Sequence, residues 1–215
     1  MQSVTPRLET GPDTTVFLAG NTRSGRDLYG NGVSTSREIG AVRDRFVGDG
    51  LHIVQGVALR NDEFDDERYA SASIIHLAMP GRVDLSASDR SRLLLSGDRE
   101  TPDAEFLESD RLGEINISAQ LAVLSGTTFA ESPSSDFDSR IGLVSDLHQA
   151  GSDWIIATLW PVGDEENARF MEDFYGALER GVDVRRALRE ARLSRIGGKN
   201  GTNLRKWAGF QLFIR

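Results

Sequence analysis

The side chains able to perform nucleophilic or acid–base chemistry are few. The chain contains no cysteine, which excludes thiolate nucleophiles, thiolate metal sites and disulfides. Three histidines, His52, His76 and His148, are the candidate bases near neutral pH. Ser125 and Thr127 stand two residues apart in a β-rich run, so in a strand both hydroxyls point to the same side. A hydroxyl becomes a nucleophile only beside a base and an oxyanion hole, so hydrolysis depends on what reaches this pair.

Composition excludes several classes of function. The net charge is −8 and the basic residues are scattered, with a modest cluster at residues 180–195 that fits a solvated helix face, so nucleic-acid binding is not expected. No H-x-x-x-H spacing is present, and we expect no metal and no cofactor. No apolar run reaches the roughly 18 residues of a membrane span, and residues 1–15 lack a signal-peptide pattern. We therefore expect a cytoplasmic protein without a membrane partner.

Short β-rich runs alternate with helical patterns along the chain. The runs are nearly continuous in apolar residues, as in strands buried on both faces; they cover residues 15–19, 51–57, 73–78, 121–125, 154–160 and 209–214. Ser36 and Asp164 are candidate N-caps of two helices. The alternation predicts an α/β fold with a mostly parallel central sheet flanked by helices. We assign residues 15–215 to this domain and residues 1–14 to a flexible lead-in.

Sites in such sheets form beyond the carboxyl ends of the strands, and two of these ends are unusual. Residues 74–81 read I-I-H-L-A-M-P-G, and residues 121–128 read L-A-V-L-S-G-T-T. They resemble the two signature segments of the CHAT family, caspase-like peptidase domains often found with tetratricopeptide repeats. In that family the first segment typically reads H-x-A-T-H-G, and its second histidine is the general base. The second typically reads L-V-V-L-S-A-C-E-T, and its cysteine is the nucleophile.

The resemblance continues in order along most of the chain. Residues 150–164 read A-G-S-D-W-I-I-A-T-L-W-P-V-G-D, which is similar to the family's A-G-A-x-x-V-I-A-T-L-W-P-V-x-D. Shorter segments resemble the family's A-x-x-E, S-x-L-x-L, F-Y-x-x-L, A-L-R-x-A and W-A-G-F; they are residues 36–38, 91–95, 174–178, 187–191 and 207–210. The resemblance implies a caspase-like three-layer sandwich.

The departures from the family pattern decide the expected function. Pro80 occupies the position of the base and Thr127 that of the nucleophile. Proline has no side-chain proton acceptor, and a threonine hydroxyl is a far weaker nucleophile than a thiolate. His76 stands at the family's first, non-catalytic histidine, about 13 Å back along the strand from Pro80, where we expect a core residue.

The resemblance therefore implies a catalytically inactive pseudo-peptidase that acts as a protein-interaction or regulatory module. Its candidate binding cleft comprises Gly81, Gly126, Thr128 and Asp164, although Asp164 equally suits a helix cap. The expected partner is a protein, either a catalytically competent CHAT or repeat-containing protein or a second copy pairing at an open sheet edge.

Two alternatives remain open. An active peptidase would use Ser125 or Thr127 as nucleophile and would need a histidine as base. His52 lies at the start of a β-rich run, at the wrong end of the sheet, and His148 lies in a helical pattern that packs inward.

A small-ligand or nucleotide binder would use the glycine-rich loop at residues 20–32, with Arg23 and Arg26 as contacts. That loop lacks the G-K-[ST] ending and the G-x-G-x-x-G spacing of phosphate-binding loops. The acidic run at residues 62–67 is expected to be solvated surface.

Overall fold

The structure is a computed structural model, and it describes Leu8 and residues 13–21, 35–46, 50–82, 92–96, 105–128, 141–160, 162–198 and 202–215. The strands of this part of the chain are β1 (Val16–Gly20), β2 (Leu51–Gln55), β3 (Ile74–Arg82), β4 (Arg92–Ser96), β5 (Glu105–Glu108), β6 (Leu121–Thr128), β7 (Trp154–Thr158) and β8 (Phe210–Ile214). The helices are α1 (Ser36–Arg43), α2 (Glu67–Ala70), α3 (Ser109–Glu114), α4 (Ile141–Ala150), α5 (Asp164–Glu179) and α6 (Val184–Ile196).

The strands form one sheet in the order β2-β1-β3-β6-β7-β8. Neighbouring strands from β2 to β7 pair in parallel, and β8 closes one edge antiparallel to β7. At its carboxyl end β3 also pairs with β4, which continues antiparallel into β5. The prediction of an α/β fold with a mostly parallel central sheet is confirmed. The segment at residues 91–95, which resembles the family's S-x-L-x-L strand, overlaps β4. Strand β5 was not predicted, because its sequence E-F-L-E is short and shows little strand periodicity.

Apolar side chains cover both faces of the sheet, which explains why the strands read as continuous hydrophobic runs. One face carries Phe17, Leu77 and Leu124, against which α2, α3 and α4 pack. The other face carries Leu18 and Val123, together with the apolar stripes of α1, α5 and α6. Helices on two faces of a central sheet make the three layers that the family resemblance implies.

Helix starts differ slightly from the sequence expectation. The N-cap position of α1 is Thr35, and Ser36 is the first helical residue. Likewise Gly163 is the N-cap of α5, and Asp164 begins the helix, so each residue predicted as an N-cap stands one position inside its helix. Backbone geometry at a helix start depends on how the preceding loop leaves the sheet, which residue preference alone does not encode.

Leu8 is buried and packs with the core on the α1, α5 and α6 face, although it lies in the segment that the sequence assigns to a lead-in.

Within the described ranges, no helix is both long enough and apolar enough to cross a membrane.

Candidate functional site

The carboxyl ends of β3 and β6 lie side by side at the centre of the sheet. Ala78 pairs with Ser125, and after a shift in register Gly81 pairs with Thr127. Two residues of β3 therefore stand opposite one residue of β6, Gly126, which is the arrangement of a β-bulge. The sequence analysis treated these strand ends as one site, and the parallel register brings them together.

Gly126, the residue of β6 opposite the bulge, has an unusual backbone conformation. Its φ angle is +75°, in the left-handed region that favours glycine. A Cβ atom built on it would lie 3.4 Å from the carbonyl oxygen of Met79, which is an ordinary van der Waals contact. The positive φ angle, rather than crowding, is therefore the reason that glycine suits this position.

Several predicted site residues are placed by their backbone alone. Pro80 lies within the bulge of β3, Thr127 and Thr128 end β6, and Asp164 begins α5. Their side chains lie outside the described part of the structure, so their roles stay predictions. The candidate phosphate-binding segment with Arg23 and Arg26 also lies outside the described residues.

A buried polar cluster lies just behind the strand ends. The imidazole Nδ1 of His76 is 2.9 Å from the hydroxyl of Tyr175. Its Nε2 is 3.2 Å from Oε1 of Glu38 and 3.4 Å from Oγ of Ser125. All four residues are fully buried. We call Glu38, His76, Ser125 and Tyr175 the buried cluster.

Four different elements supply the buried cluster. His76 pairs in register with Val123 of β6, which places the ring on the face of the sheet that α1 and α5 cover. Glu38 reaches it from the first turn of α1, and Ser125 lies two residues after Val123 on the same face. Tyr175 comes from the apolar stripe of α5. The cluster thus connects both helices to the two strands that form the candidate site.

The sequence analysis did not identify Glu38 and Tyr175 as partners of His76. A signal for Glu38 was present, because Val42 follows it by four residues and shares its helix face, so the carboxylate lies on the apolar side of α1. Tyr175 belongs to an apolar stripe and reads as an ordinary core aromatic. Only the packing of α5 on the sheet directs its hydroxyl toward the imidazole.

The contacts of the imidazole in the buried cluster differ from those in a catalytic triad. A Ser-His-acid triad uses one imidazole nitrogen to hydrogen-bond the acid and the other to take the proton of the nucleophile. Here Glu38 and Ser125 both approach Nε2 of His76, so they compete for the same nitrogen. Ser125 is also fully buried, and a peptide carbonyl cannot reach its hydroxyl without opening the core.

Tyr175 stays protonated under ordinary conditions. Burial raises the pKa of Tyr175 well above its usual range, and the nearby charge of Glu38 raises the pKa further. The ring packs edge-on against Phe46 and Phe174, with centroid separations of 5.5 and 5.1 Å. A neutral, immobilised hydroxyl can donate a hydrogen bond to Nδ1 or accept one from it, according to the tautomer of His76.

The other two histidines have partners of their own, away from the candidate site. His52 pairs in register with Phe17, near the amino ends of the strands, and its Nδ1 lies 3.0 Å from the guanidinium of Arg68. His148 donates from Nδ1 to the carbonyl oxygen of Ser152 at 2.8 Å. Neither imidazole has a described hydrogen bond to Ser125.

Two carboxylates of the acidic run at residues 62–67 form ion pairs with neighbouring arginines. Arg111 pairs with Asp65 at 2.7 Å, and Arg68 pairs with Asp66 at 2.5 Å. Hydrogen bonds from the side chain and backbone of Arg68 hold the pKa of Asp66 far below its usual range. These pairs lie at the surface, on the segment between β2 and β3.

Comparison with known proteins identifies the family. The profile of the CHAT domain matches residues 6–214, which is nearly the whole chain. The chain belongs to the CHAT domain family. A search of curated proteins found no significant match. The resemblance drawn from the sequence is therefore confirmed, and the protein is a caspase-like, peptidase-related α/β module.

Proposed function

We propose that this CHAT domain is a catalytically inactive pseudo-peptidase that serves as a protein-interaction or regulatory module. The supporting observation is the pairing of Gly81 with Thr127, which sets the two strand ends side by side. By resemblance, the base and the nucleophile of a CHAT peptidase belong at Pro80 and Thr127. Neither residue can activate the other, because proline accepts no proton through its side chain.

A cleavage assay with a restored variant tests the loss of activity. A fluorogenic peptide library is incubated with the wild type, with Thr127→Cys, and with the double variant Pro80→His and Thr127→Cys. We expect no turnover by the wild type and thiol-dependent turnover by the double variant, since the strand ends are already adjacent. Thr127→Cys alone is the matched control, because it has a thiol but no base. Wild-type turnover that Thr127→Ala abolishes would contradict the proposal.

An active hydrolase using Ser125 is the second candidate, and one observation favours it. Nε2 of His76 lies 3.4 Å from the Ser125 hydroxyl, within reach of a weak hydrogen bond. The same hydroxyl is fully buried, which opposes this candidate. Turnover that disappears in Ser125→Ala but persists in Thr127→Ala would establish it over the pseudo-peptidase proposal.

The interaction role concerns the strand ends that would have held substrate. The candidate cleft comprises Gly81, Gly126, Thr128 and Asp164, and the candidate partners are an active CHAT protein, a repeat-containing protein or a second copy. The edge strands β2 and β8 support pairing with another chain, because each has one neighbour in the described sheet. The cytoplasmic location stays a prediction from the sequence.

Light scattering during gel filtration tests the interaction role. The chain is run alone and with CHAT or repeat-containing proteins encoded beside it, and a complex that survives the column is expected. Thr128→Arg should weaken the complex if the strand ends bind the partner. Arg185→Glu, on the exposed face of α6, is the matched control and should leave the complex intact. A chain that remains monomeric with every such protein would contradict the proposal.

A further inference from the structure

Strand β8 is the last strand of the sheet within the described residues, and its backbone bonds show which of its groups face outward. The amide of Leu159 donates to the carbonyl oxygen of Gly209 at 2.8 Å, and the amide of Arg215 donates to that of Asp153 at 3.1 Å. In an antiparallel pair, alternate residues bond to the neighbouring strand. The intervening residues of β8 therefore direct their N–H and C=O groups away from β7; they are Phe210, Leu212 and Ile214.

The guanidinium of Arg192, from α6, lies at this outer side of β8. Its Nη2 donates to the carbonyl oxygen of Phe210, which is one of the groups that point away from β7. Arg192 thereby binds at one end of the strand edge, two residues before Leu212. Ile214 is 50% exposed and Leu212 is partly exposed, so solvent reaches the rest of this strand.

Positive charge borders the outer edge of β8, although the chain as a whole has a net charge of −8. Helix α6 contains five arginines and one glutamate. Arg189 precedes Arg192 by three residues, so it lies on the same side of α6, and it is exposed. Arg215 directly follows β8 and is also exposed. The strand itself, F-Q-L-F-I, has no charged side chain, so an uncharged strand edge lies between cations.

We propose that the outer edge of β8 binds an extended acidic segment of a partner protein, which joins the sheet as a further strand. This inference rests on the proposed interaction role and names its surface and the chemistry of its partner. Backbone hydrogen bonds to Leu212 and Ile214 supply the pairing. Side chains alternate along a strand, so every second residue of the segment lies on the α6 side, where a carboxylate meets Arg189. The segment therefore alternates acidic and apolar residues.

The same charge distribution disfavours a second copy of the chain at this edge. Two antiparallel β8 strands related by a two-fold axis would place both α6 helices on one side of the joined sheet. Arg189 and Arg192 would then approach their counterparts in the other copy, and like charges across an interface oppose association. An acidic segment meets the same arginines with opposite charge.

Fluorescence anisotropy with two synthetic peptides tests the proposal. The probe is a labelled peptide of alternating valine and glutamate, about eight residues long, which is enough to span a strand. The control peptide has proline in place of alternate valines, which keeps the charge but prevents strand pairing. The full chain should bind the probe and not the control. Equal binding of the two peptides, or no binding of the probe, would overturn the proposal.

Charge reversal at one arginine tests the electrostatic part of the proposal. Arg189→Glu should weaken binding of the probe about fivefold, because it replaces an attraction at the protein surface by a repulsion. Arg37→Glu makes the same change of charge at an exposed residue of α1, which α5 separates from α6, and it should leave binding unchanged. Equal effects of the two variants would overturn the proposal.

Amide hydrogen exchange at single-residue resolution identifies the surface that the probe contacts. The amides of Leu212 and Ile214 should exchange about tenfold more slowly with saturating probe, because each gains a strand hydrogen bond. Those of Gln211 and Phe213 face β7 and are internal controls. Protection of Leu212 and Ile214 in the free chain would mean that the protein itself covers this edge, and would overturn the proposal.

Failure of this proposal can be distinguished from failure of the interaction role. Light scattering detects a complex formed at any surface, whereas the probe reports on the edge of β8 alone. A stable complex with a partner protein, without binding of the probe, would refute this surface and retain the interaction role. A concentration-dependent dimer of the chain that Leu212→Pro dissociates would assign the edge to a second copy and overturn the proposal.

Discussion

Strands β3 and β6 carry two polar regions only a few residues apart, and the two differ in composition and surroundings. At the carboxyl ends lie Pro80 and Thr127, which the family resemblance leads us to propose as replacements of a base and a nucleophile. Behind them, His76 and Ser125 lie within the buried cluster. Side chains at strand ends can change with little effect on packing, whereas a buried polar group can change only together with its partners. We therefore expect residues at the strand ends to be replaceable without loss of the core, unlike those of the buried cluster.

The largest effect is expected when His76, the partner of Glu38 in the buried cluster, is removed. His76→Ala leaves the Glu38 carboxyl group without its partner, and we expect a loss of about 3–5 kcal/mol in the free energy of unfolding at pH 6. Chemical denaturation measures it. The double variant His76→Leu and Glu38→Leu should lose less, since it leaves no buried charge.

A matched control for this comparison is His148→Ala, which removes a half-buried imidazole bonded to the Ser152 carbonyl. We expect the free energy of unfolding to fall by about 1 kcal/mol, as for the loss of an ordinary hydrogen bond. If His76→Ala cost no more than His148→Ala, the buried cluster would be an incidental feature of the core, and the contrast with the strand ends would fail.

An intermediate effect is expected at the bulge between the two regions. Gly126→Ala places a Cβ on a residue with φ of +75°, which should cost about 1–2 kcal/mol in the free energy of unfolding. Thermal unfolding measures the loss. Gly40→Ala in α1 is the matched control, because no described atom outside its own helix turn lies within 4 Å of its Cβ position and its helix favours alanine. Equal effects at both glycines would show that the bulge can relax.

The smallest effect is expected at the surface, where ion pairs are exposed to solvent. Arg68 keeps Asp66 ionised below the usual aspartate pKa, so any stabilisation by Asp66 is present above that pKa and is lost as pH falls through the lowered value. Carbon-detected NMR titration should show the Asp66 carboxyl titrating at a higher pH in Arg68→Ala. An unchanged titration would mean that the backbone hydrogen bond alone holds Asp66 ionised.

The sheet could be predicted from the sequence because each buried strand appears as a run of consecutive apolar residues. Strands covered on both faces read as continuous apolar runs, and the intervening helices show their own periodicity. The strand ends at residues 74–81 and 121–128 were recognised for the same reason, since the family's motifs are local. Their adjacency followed from the parallel arrangement, in which strand ends meet at one edge.

The buried cluster could not be predicted in this way. A histidine and a serine in apolar strands give no indication of their partners, and Tyr175 is separated from His76 by 99 residues. Likewise, the register shift at Gly126 depends on how β3 and β6 meet, and the N-caps of α1 and α5 depend on the loops that precede them.

The amino-acid sequence by itself determined the α/β class, the family and the residues at the two strand ends, because hydrophobic periodicity and short motifs are properties of neighbouring residues. Tertiary structure alone decided that His76 faces Glu38, Ser125 and Tyr175, and that the hydroxyl of Ser125 is closed to solvent. Hydrogen-bond partners and exposure are set by elements distant in the chain, and they arise only when the helices pack onto the sheet.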